Sequence, residues 1–181
     1  MNRRTLMLAT IALFSFAIAL PAGDAGAQQM QRVSYKTPAT NLKKDTEQHV
    51  VDVGDVPGHQ VRLFVLHRTF PTDAPTINGV KLKETTSRGL SDYIDTNGSN
   101  INYVEYLMEN GDKFFVRQTM VSQSTVGPDG KRKNIATGSG VITGGTGKFA
   151  TIKGVVRTTN IFDAKAGIND GESEIEYSIG R

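Results

Sequence analysis

Short runs of β-branched and aromatic residues, divided by turn residues, extend from residue 49 to the end of the chain. Several runs alternate between apolar and polar positions, which is typical of strands with one buried face. The pattern predicts eight strands, near residues 49–53, 60–70, 80–88, 100–108, 113–124, 135–143, 150–162 and 172–179. It predicts no helix beyond a single turn at residues 90–94.

Eight strands in sequence, joined by short connections, close most simply as an antiparallel up-and-down barrel. The sequence therefore predicts an all-β fold, with an eight-stranded antiparallel up-and-down barrel over residues 49–181. The interior of such a barrel is just wide enough to be filled by side chains or to hold one small ligand.

The dipeptide Asn110-Gly111 is the strongest short hairpin signal in the chain. A two-residue turn there predicts an inner face made of Ile101, Tyr103, Glu105, Leu107, Phe114, Val116, Gln118 and Met120. The same register predicts an outer row made of Val104, Tyr106, Met108 and Phe115. An exposed apolar row of this kind favours a homodimer or homotrimer, unless the N-terminal segment covers it.

The N-terminus has the three parts of a secretory signal peptide. Arg3 and Arg4 precede an apolar run over residues 6–20, and Ala25-Gly26-Ala27 follows as a cleavage site. We expect residues 1–27 to be removed near Ala27 and the protein to be secreted or periplasmic. The apolar run is short for a transmembrane helix and the chain has no cysteine for lipid attachment, so we expect no stable membrane anchor after cleavage. Residues 28–48 are a polar N-terminal segment, interpreted as a tail or lead-in.

Composition and charge exclude several kinds of function. The chain has 21 Lys and Arg against 18 Asp and Glu, a balance too even to indicate a nucleic-acid or membrane partner. The absence of cysteine excludes disulfides and thiol catalysis. None of His49, His59 and His67 has metal-ligand spacing, so we expect neither a metal nor a cofactor. The pattern leaves open which face His67 occupies.

Residues 138–154 contain the most distinctive motif, a strand, a glycine-rich turn and a second strand. A phosphate-binding loop would need glycine at position 142, which is Ile142, and a hydroxyl residue at position 149, which is Phe149. It would also need a helix after the loop. The residues that follow are β-branched, so the motif predicts a structural turn over 144–147.

The same residues, with Gly144-Gly145-Thr146-Gly147-Lys148-Phe149 at their centre, resemble a signature of small secreted barrels of the allene oxide cyclase-like and dirigent-like type. The resemblance implies an eight-stranded, calycin-like barrel around a hydrophobic cavity, and some members form trimers. The plant cyclases convert a fatty-acid epoxide to a cyclopentenone, and dirigent proteins steer phenoxy-radical coupling. The glycine motif is architectural in this superfamily and implies no particular activity here.

Polar residues on the predicted inner faces are the candidate ligand-binding residues, because a polar group in a barrel interior needs a partner. They are Glu84, Tyr103, Glu105, Gln118, Asn160 and Tyr177. Their alternative position is the barrel rim, where they would reach water.

Three functions fit this pattern. The first is an exported barrel that binds a small apolar ligand without turnover. The second is a cofactor-free cyclase or isomerase that moves protons with a buried carboxylate such as Glu84 or Glu105. The third is a structural or interaction protein with a filled core.

Overall fold

The computed structural model describes residues 29–43, 47–128, 130, 132–163 and 166–180, so the predicted signal peptide lies outside the described residues. The strands are β1 Gln31–Thr37, β2 Glu47–Asp52, β3 His59–Thr69, β4 Thr76–Ile77, β5 Val80–Ile94, β6 Asn97–Met108, β7 Lys113–Val126, β8 Arg132–Gly145, β9 Ile152–Asp163 and β10 Ile168–Ile179. Single-turn 3-10 helices occupy Ala39–Asn41 and Gly147–Phe149.

The strands form one continuous antiparallel ladder in the order β1-β10-β9-β8-β7-β6-β5-β3-β2, with β4 attached to β5. The predicted all-β antiparallel fold is therefore confirmed, and each of the eight predicted strands is present. The prediction of a closed eight-stranded barrel is wrong, because the sheet has ten strands and its two ends are not paired with each other. No helix in the described part of the chain has the length and apolar character needed to cross a membrane.

The additional edge strand β1 lies inside the predicted polar segment 28–48. It pairs with β10 along its whole length, from Gln31 opposite Tyr177 to Thr37 opposite Gly171. Val33 and Tyr35 pack on the hydrophobic core and Thr37 is buried. Residues 31–37 are therefore part of the sheet, not a tail, and the polar residues between the inward positions hid this alternation from sequence reasoning.

The β6–β7 turn corrects the predicted hairpin register. The amide of Gly111 donates to the carbonyl of Met108 at 3.0 Å, the amide of Met108 donates to the carbonyl of Asp112 at 2.9 Å, and Gly111 has a φ of +86°. These are the features of a three-residue loop with a glycine bulge, not of a two-residue turn. The register therefore moves by one residue and pairs Tyr106 with Phe114 and Glu105 with Phe115.

A one-residue change of register exchanges the two faces of a strand. Val104, Tyr106 and Met108, expected outside, are buried in the core. Ile101, Tyr103, Glu105 and Leu107, expected inside, lie on the outer face of β6. Of the predicted outer row only Phe115 is outside, where it is half-buried, so the expected dimer or trimer loses the surface on which it was based.

The ladder curls so that its two ends approach each other. Leu42, after β1, forms an isolated bridge with Arg68 of β3. The Arg68 guanidinium also donates to Asn169 at the start of β10, at 2.7 Å from Nη2 to Oδ1 and 3.3 Å from Nη1 to the backbone carbonyl. These contacts tie β3 to the other end of the sheet without continuing the ladder, and the curled sheet has a distinct inner and outer surface.

The glycine-rich segment at the end of β8 plugs one end of the curled sheet. A structural turn is present, but it lies at residues 146–151 instead of 144–147, because Gly144 and Gly145 belong to β8. Its 3-10 helix leads into strand β9 instead of the helix of a phosphate-binding loop. Phe149 is fully buried, 5.6 Å from the ring centroid of Phe114, which stacks on Tyr106 at 4.3 Å. Gly147 has a φ of +51° and its missing side chain would collide with the carboxylate of Asp112, so only glycine fits there.

We expect Phe149→Ala to destabilise the protein by about 3–5 kcal/mol, because it leaves a large void beside Phe114. Lys148→Ala, at the exposed neighbouring position, should change the free energy of unfolding by less than about 0.5 kcal/mol. Urea denaturation measures both. Equal effects of the two substitutions would contradict the plug.

Candidate functional site

The end of the curled sheet opposite the plug contains an interior cavity of about 310 Å³. Its floor is formed by aromatic residues next to the core, Tyr35, Phe70 and Tyr106. At the other end it is bordered by Gln48 and Ile168, which are exposed. The inner surface therefore divides into a packed apolar end and an open end that can admit a small molecule.

The lining of the cavity is mixed, unlike the mostly apolar inner face that the sequence predicts. Phe64 and Leu66 of β3 provide an apolar wall. Facing strands provide hydroxyl and amide groups, from Thr85, Ser87, Ser91, Asn100, Asn102, Gln118, Thr158, Asn160 and Ser173. The charged residues among the described lining residues are Arg62 and Arg68, with no carboxylate.

Three lining residues form a chain of hydrogen bonds. Asn102 Nδ2 donates to Asn100 Oδ1 at 3.0 Å, and Asn100 Nδ2 donates to the Tyr93 hydroxyl oxygen at 2.7 Å. Burial raises the pKa of Tyr93, although the hydrogen bond from Asn100 and the charge of Arg62 act in the opposite direction. Tyr93 is thus a neutral phenol at physiological pH, and its O–H remains a donor.

Four buried side-chain polar atoms have no hydrogen-bond partner among the described residues, and three of them belong to residues that line the cavity. Asn102 and Gln118 face each other across β6 and β7 and are each 5% exposed. Asn102 Oδ1 and Gln118 Nε2 have no hydrogen-bond partner, and neither does the buried Nε of Arg62. An unmet buried polar atom costs about 1–3 kcal/mol. A rotation of these side chains that turns the acceptor and the two donors towards the cavity would let a ligand recover that cost.

Close packing behind this group depends on a glycine. Gly89 of β5 lies opposite both Phe64 and Asn102 in the ladder. A Cβ at residue 89 would fall 2.5 Å from Phe64 Cζ and 2.7 Å from Asn102 Cβ. Gly89 therefore lets the apolar wall and the amide row approach each other.

The two arginines differ in their environment. Arg68 is held by Asn169, and burial lowers its pKa, opposed by Tyr35 and Asp170. Among the described residues no hydrogen bond or ion pair holds the side chain of Arg62. Arg68 is a structural contact across the sheet ends, and Arg62 is available to a ligand.

The structure places two of the six sequence-predicted site residues at the cavity, Gln118 and Asn160. Tyr177 is inside the sheet but belongs to the apolar end. Its hydroxyl donates to Gln31 Oε1 at 2.8 Å and accepts from the amide of Asn78 at 2.7 Å.

Tyr103, Glu105 and Glu84 are not in the interior. Tyr103 is 58% exposed, and Glu105 pairs on the outer face with Lys113 at 3.2 Å. Both were placed inside by the wrong hairpin register. Glu84 continues the buried alternation of Val80 and Leu82 in sequence, but a bulge between Leu82 and Glu84 moves its side chain to the outer face.

Glu84 belongs to an outer cluster that also settles the position of His67. Lys43 Nζ lies 2.9 Å from Glu84 Oε2, and His67 Nδ1 lies 3.4 Å from Glu84 Oε1 and 3.1 Å from the Thr86 hydroxyl. Burial raises the pKa of Glu84, but the hydrogen bond and charge of Lys43, together with His67, lower it overall. Glu84 is thus an ionised surface carboxylate.

A second histidine, His59, is the first residue of β3. His59 Nδ1 lies 2.6 Å from Asp55 Oδ1 and its Nε2 lies 2.8 Å from Asp92 Oδ1. Hydrogen bonds with Asp92 and Asp55 raise the pKa of His59. This arrangement ties the β2–β3 turn to β5, and in the described part of the chain no group of three or more His, Cys, Asp or Glu could hold a metal ion.

Sequence reasoning missed Arg62, Tyr93, Asn100 and Asn102. Two equally apolar alternations run through residues 60–70, and only the set that contains Phe64 and Leu66 faces inward. That set also includes Arg62 and Arg68. Two arginines in phase with an apolar alternation were the available signal for a charged interior.

No family model, curated protein or solved structure matches this chain. The antiparallel β fold is established by the ladder itself. The resemblance to allene oxide cyclase-like and dirigent-like barrels remains a prediction from the glycine motif.

We expect Gln118→Met to leave the free energy of unfolding unchanged or to increase it, because it replaces a partly unpaired amide by an apolar side chain of similar length. Urea denaturation of the ligand-free protein measures the effect. If Gln118 instead holds the fold together, the same substitution will cost more than about 1 kcal/mol.

Proposed function

We propose that this protein binds one small amphipathic organic molecule in its interior cavity and does not turn it over. The observation that carries the proposal is the pair Asn102 and Gln118, which each contain an unpartnered buried polar atom and both line a cavity of about 310 Å³. Natural proteins satisfy nearly all buried polar groups, and exceptions are concentrated at functional sites.

The size and lining of the cavity support this proposal. A volume of 310 Å³ is at the lower end of the range of small-molecule sites, about 300–1,000 Å³. Such sites combine apolar walls with a few convergent polar groups. Phe64 and Leu66 provide the former, and the amide row of β6 and β7 provides the latter.

The polar lining changes the chemistry expected of the ligand. The sequence predicts a small apolar ligand, but a purely apolar molecule would leave the unpartnered atoms of Asn102 and Gln118 without hydrogen bonds. A ligand with polar substituents and an apolar body satisfies both walls, so we propose an amphipathic molecule.

Binding without turnover is favoured over a cyclase or isomerase by the positions of the carboxylates. Proton transfer near neutral pH needs a group of suitable pKa in contact with substrate. Glu84 and Glu105 lie on the outer face, and the pKa of Glu84 is lowered. The described cavity lining contains neither carboxylate nor histidine. The cavity likewise favours ligand binding over the third alternative, a structural or interaction protein with a filled core.

The signal-peptide pattern of residues 1–27 supports the further proposal that binding takes place outside the cytoplasm, in the periplasm or after secretion. Protein purified from the exporting cell should then carry its ligand. Native mass spectrometry should detect one small molecule per chain that is released on denaturation.

Ala136→Phe tests whether the ligand occupies the cavity. Ala136 lines the cavity from β8 and is 5% exposed, so phenylalanine there should fill the space and abolish co-purification. The control is Val141→Phe on the same strand, at a position that is 53% exposed and away from the cavity. Circular dichroism and thermal unfolding check that both variants are folded.

Two results would contradict the proposal. One is wild-type protein that carries no small molecule and binds none from an extract of its own compartment. The other is a folded Ala136→Phe variant that retains the ligand as well as Val141→Phe does.

A further inference from the structure

The cavity has a charge preference as well as a polar one. We infer that its ligand carries a carboxylate, held at the open end by Arg62 and Tyr93, and a hydroxyl or carbonyl group held deeper by Asn102 and Gln118. This inference rests on the proposed binding function and names the class of ligand.

The electrostatic basis is an arginine without a counter-ion. Among the described residues, neither an ion pair nor a hydrogen bond reaches the Arg62 side chain, and no carboxylate lines the cavity. Asp52 of the adjacent strand β2 instead accepts a hydrogen bond from Gln60 Nε2 at 2.9 Å. A partly buried charge is costly unless it is paired, so this position favours an anionic ligand.

The geometry of the unpartnered atom favours a carboxylate in particular. A guanidinium can present Nε and one Nη side by side to the two oxygens of a carboxylate. The Nε of Arg62 is buried and makes no hydrogen bond, so a rotation of the side chain towards the cavity would present that edge to a carboxylate without breaking a protein contact at Nε. Arg68 cannot serve in the same way, since both of its terminal nitrogens already donate to Asn169.

Tyr93 adds a second donor at the same end. Its hydroxyl oxygen accepts from Asn100, which leaves the O–H to donate. The charge of Arg62 acts on the Tyr93 hydroxyl, which places the two groups in one electrostatic environment. In the ladder Arg62 pairs with Ser91, two residues from Tyr93 on the same face of β5.

The deeper group recognises a different substituent. Asn102 Oδ1 accepts and Gln118 Nε2 donates, and these two residues are directly opposite in the ladder. Gln118 alone can donate to a carbonyl, and the two together can satisfy both the donor and the acceptor of a hydroxyl. The ligand body would lie against Phe64, which is level with Asn102 in the ladder, and against Leu66, two residues further towards the apolar end.

Matched probes separate charge from shape. We would measure, by isothermal titration calorimetry on ligand-stripped mature protein, the binding of hydroxyphenylpropanoate and hydroxydecanoate, the primary amide of each, and the two acids without the hydroxyl group. Each amide has nearly the shape of its acid but no charge. Wild-type protein should bind the better-fitting acid about 10- to 100-fold more tightly than its amide, the range expected for a charge-assisted hydrogen-bond pair.

Arg62→Met should lower the affinity for the acid to about the affinity for its amide, and Arg62→Lys should restore part of the preference for the acid. The control is Arg117→Met, which removes the same charge from an exposed position on the outer face of β7 and should leave the preference intact. Gln118→Met should instead lower the affinity for the hydroxylated acid to about the affinity for the acid without the hydroxyl group.

The outcomes distinguish the inference from the function on which it rests. If acid and amide bind equally, or if Arg62→Met keeps the preference for the acid, the carboxylate assignment is wrong and the cavity remains a site for neutral molecules. If no probe binds and the native protein carries no ligand, the proposed binding function is wrong and the inference falls with it.

Discussion

The three-residue turn between β6 and β7 determines what kind of interior this protein has. Because Gly111 adopts a positive φ and adds a bulge, Tyr106 pairs with Phe114, and both rings enter the core. The same register places Asn102 opposite Gln118 inside the sheet and carries Glu105 outside. A two-residue turn would have produced an interior with a carboxylate and without this amide pair. Whether the cavity contains a carboxylate or an amide pair therefore depends on whether the β6–β7 turn has two residues or three.

The two ends of the interior differ in the side chains that fill them. At one end the glycine-rich turn inserts Phe149 beneath Phe114, which supplies the rigid apolar end that a small domain without disulfides needs. At the other end polar side chains replace apolar ones. Arg68 holds the ends of the curled sheet near each other through Asn169. The protein thus concentrates its apolar packing in one half and contains a cavity with a mixed lining in the other half.

The sequence predicted the class of fold and eight of the ten strands, because alternation and turn residues are local signals. It did not reveal β1, whose inward positions are separated by polar residues. It wrongly predicted a closed barrel, because closure of a sheet depends on long-range geometry. Within the site, Gln118 and Asn160 were found by alternation alone. The wrong β6–β7 turn put Tyr103 and Glu105 on the inner face in the prediction, and an unpredicted bulge had the same effect for Glu84. A one-residue bulge has a weak sequence signal, yet it moves the side chains that follow it to the opposite face of the strand.

If the proposed site is correct, Arg62 contacts the acidic group of a ligand inside the cavity. Side-chain nitrogen NMR tests it most directly, since the Nε–H of Arg62 and the amide groups of Asn102 and Gln118 report on the two polar positions separately. On titration with hydroxyphenylpropanoate or hydroxydecanoate, all three signals should shift and saturate together, with the largest change at Arg62 Nε–H. Saturable binding that leaves Arg62 Nε–H unchanged, or that shifts only outer residues such as Arg117, would contradict the account.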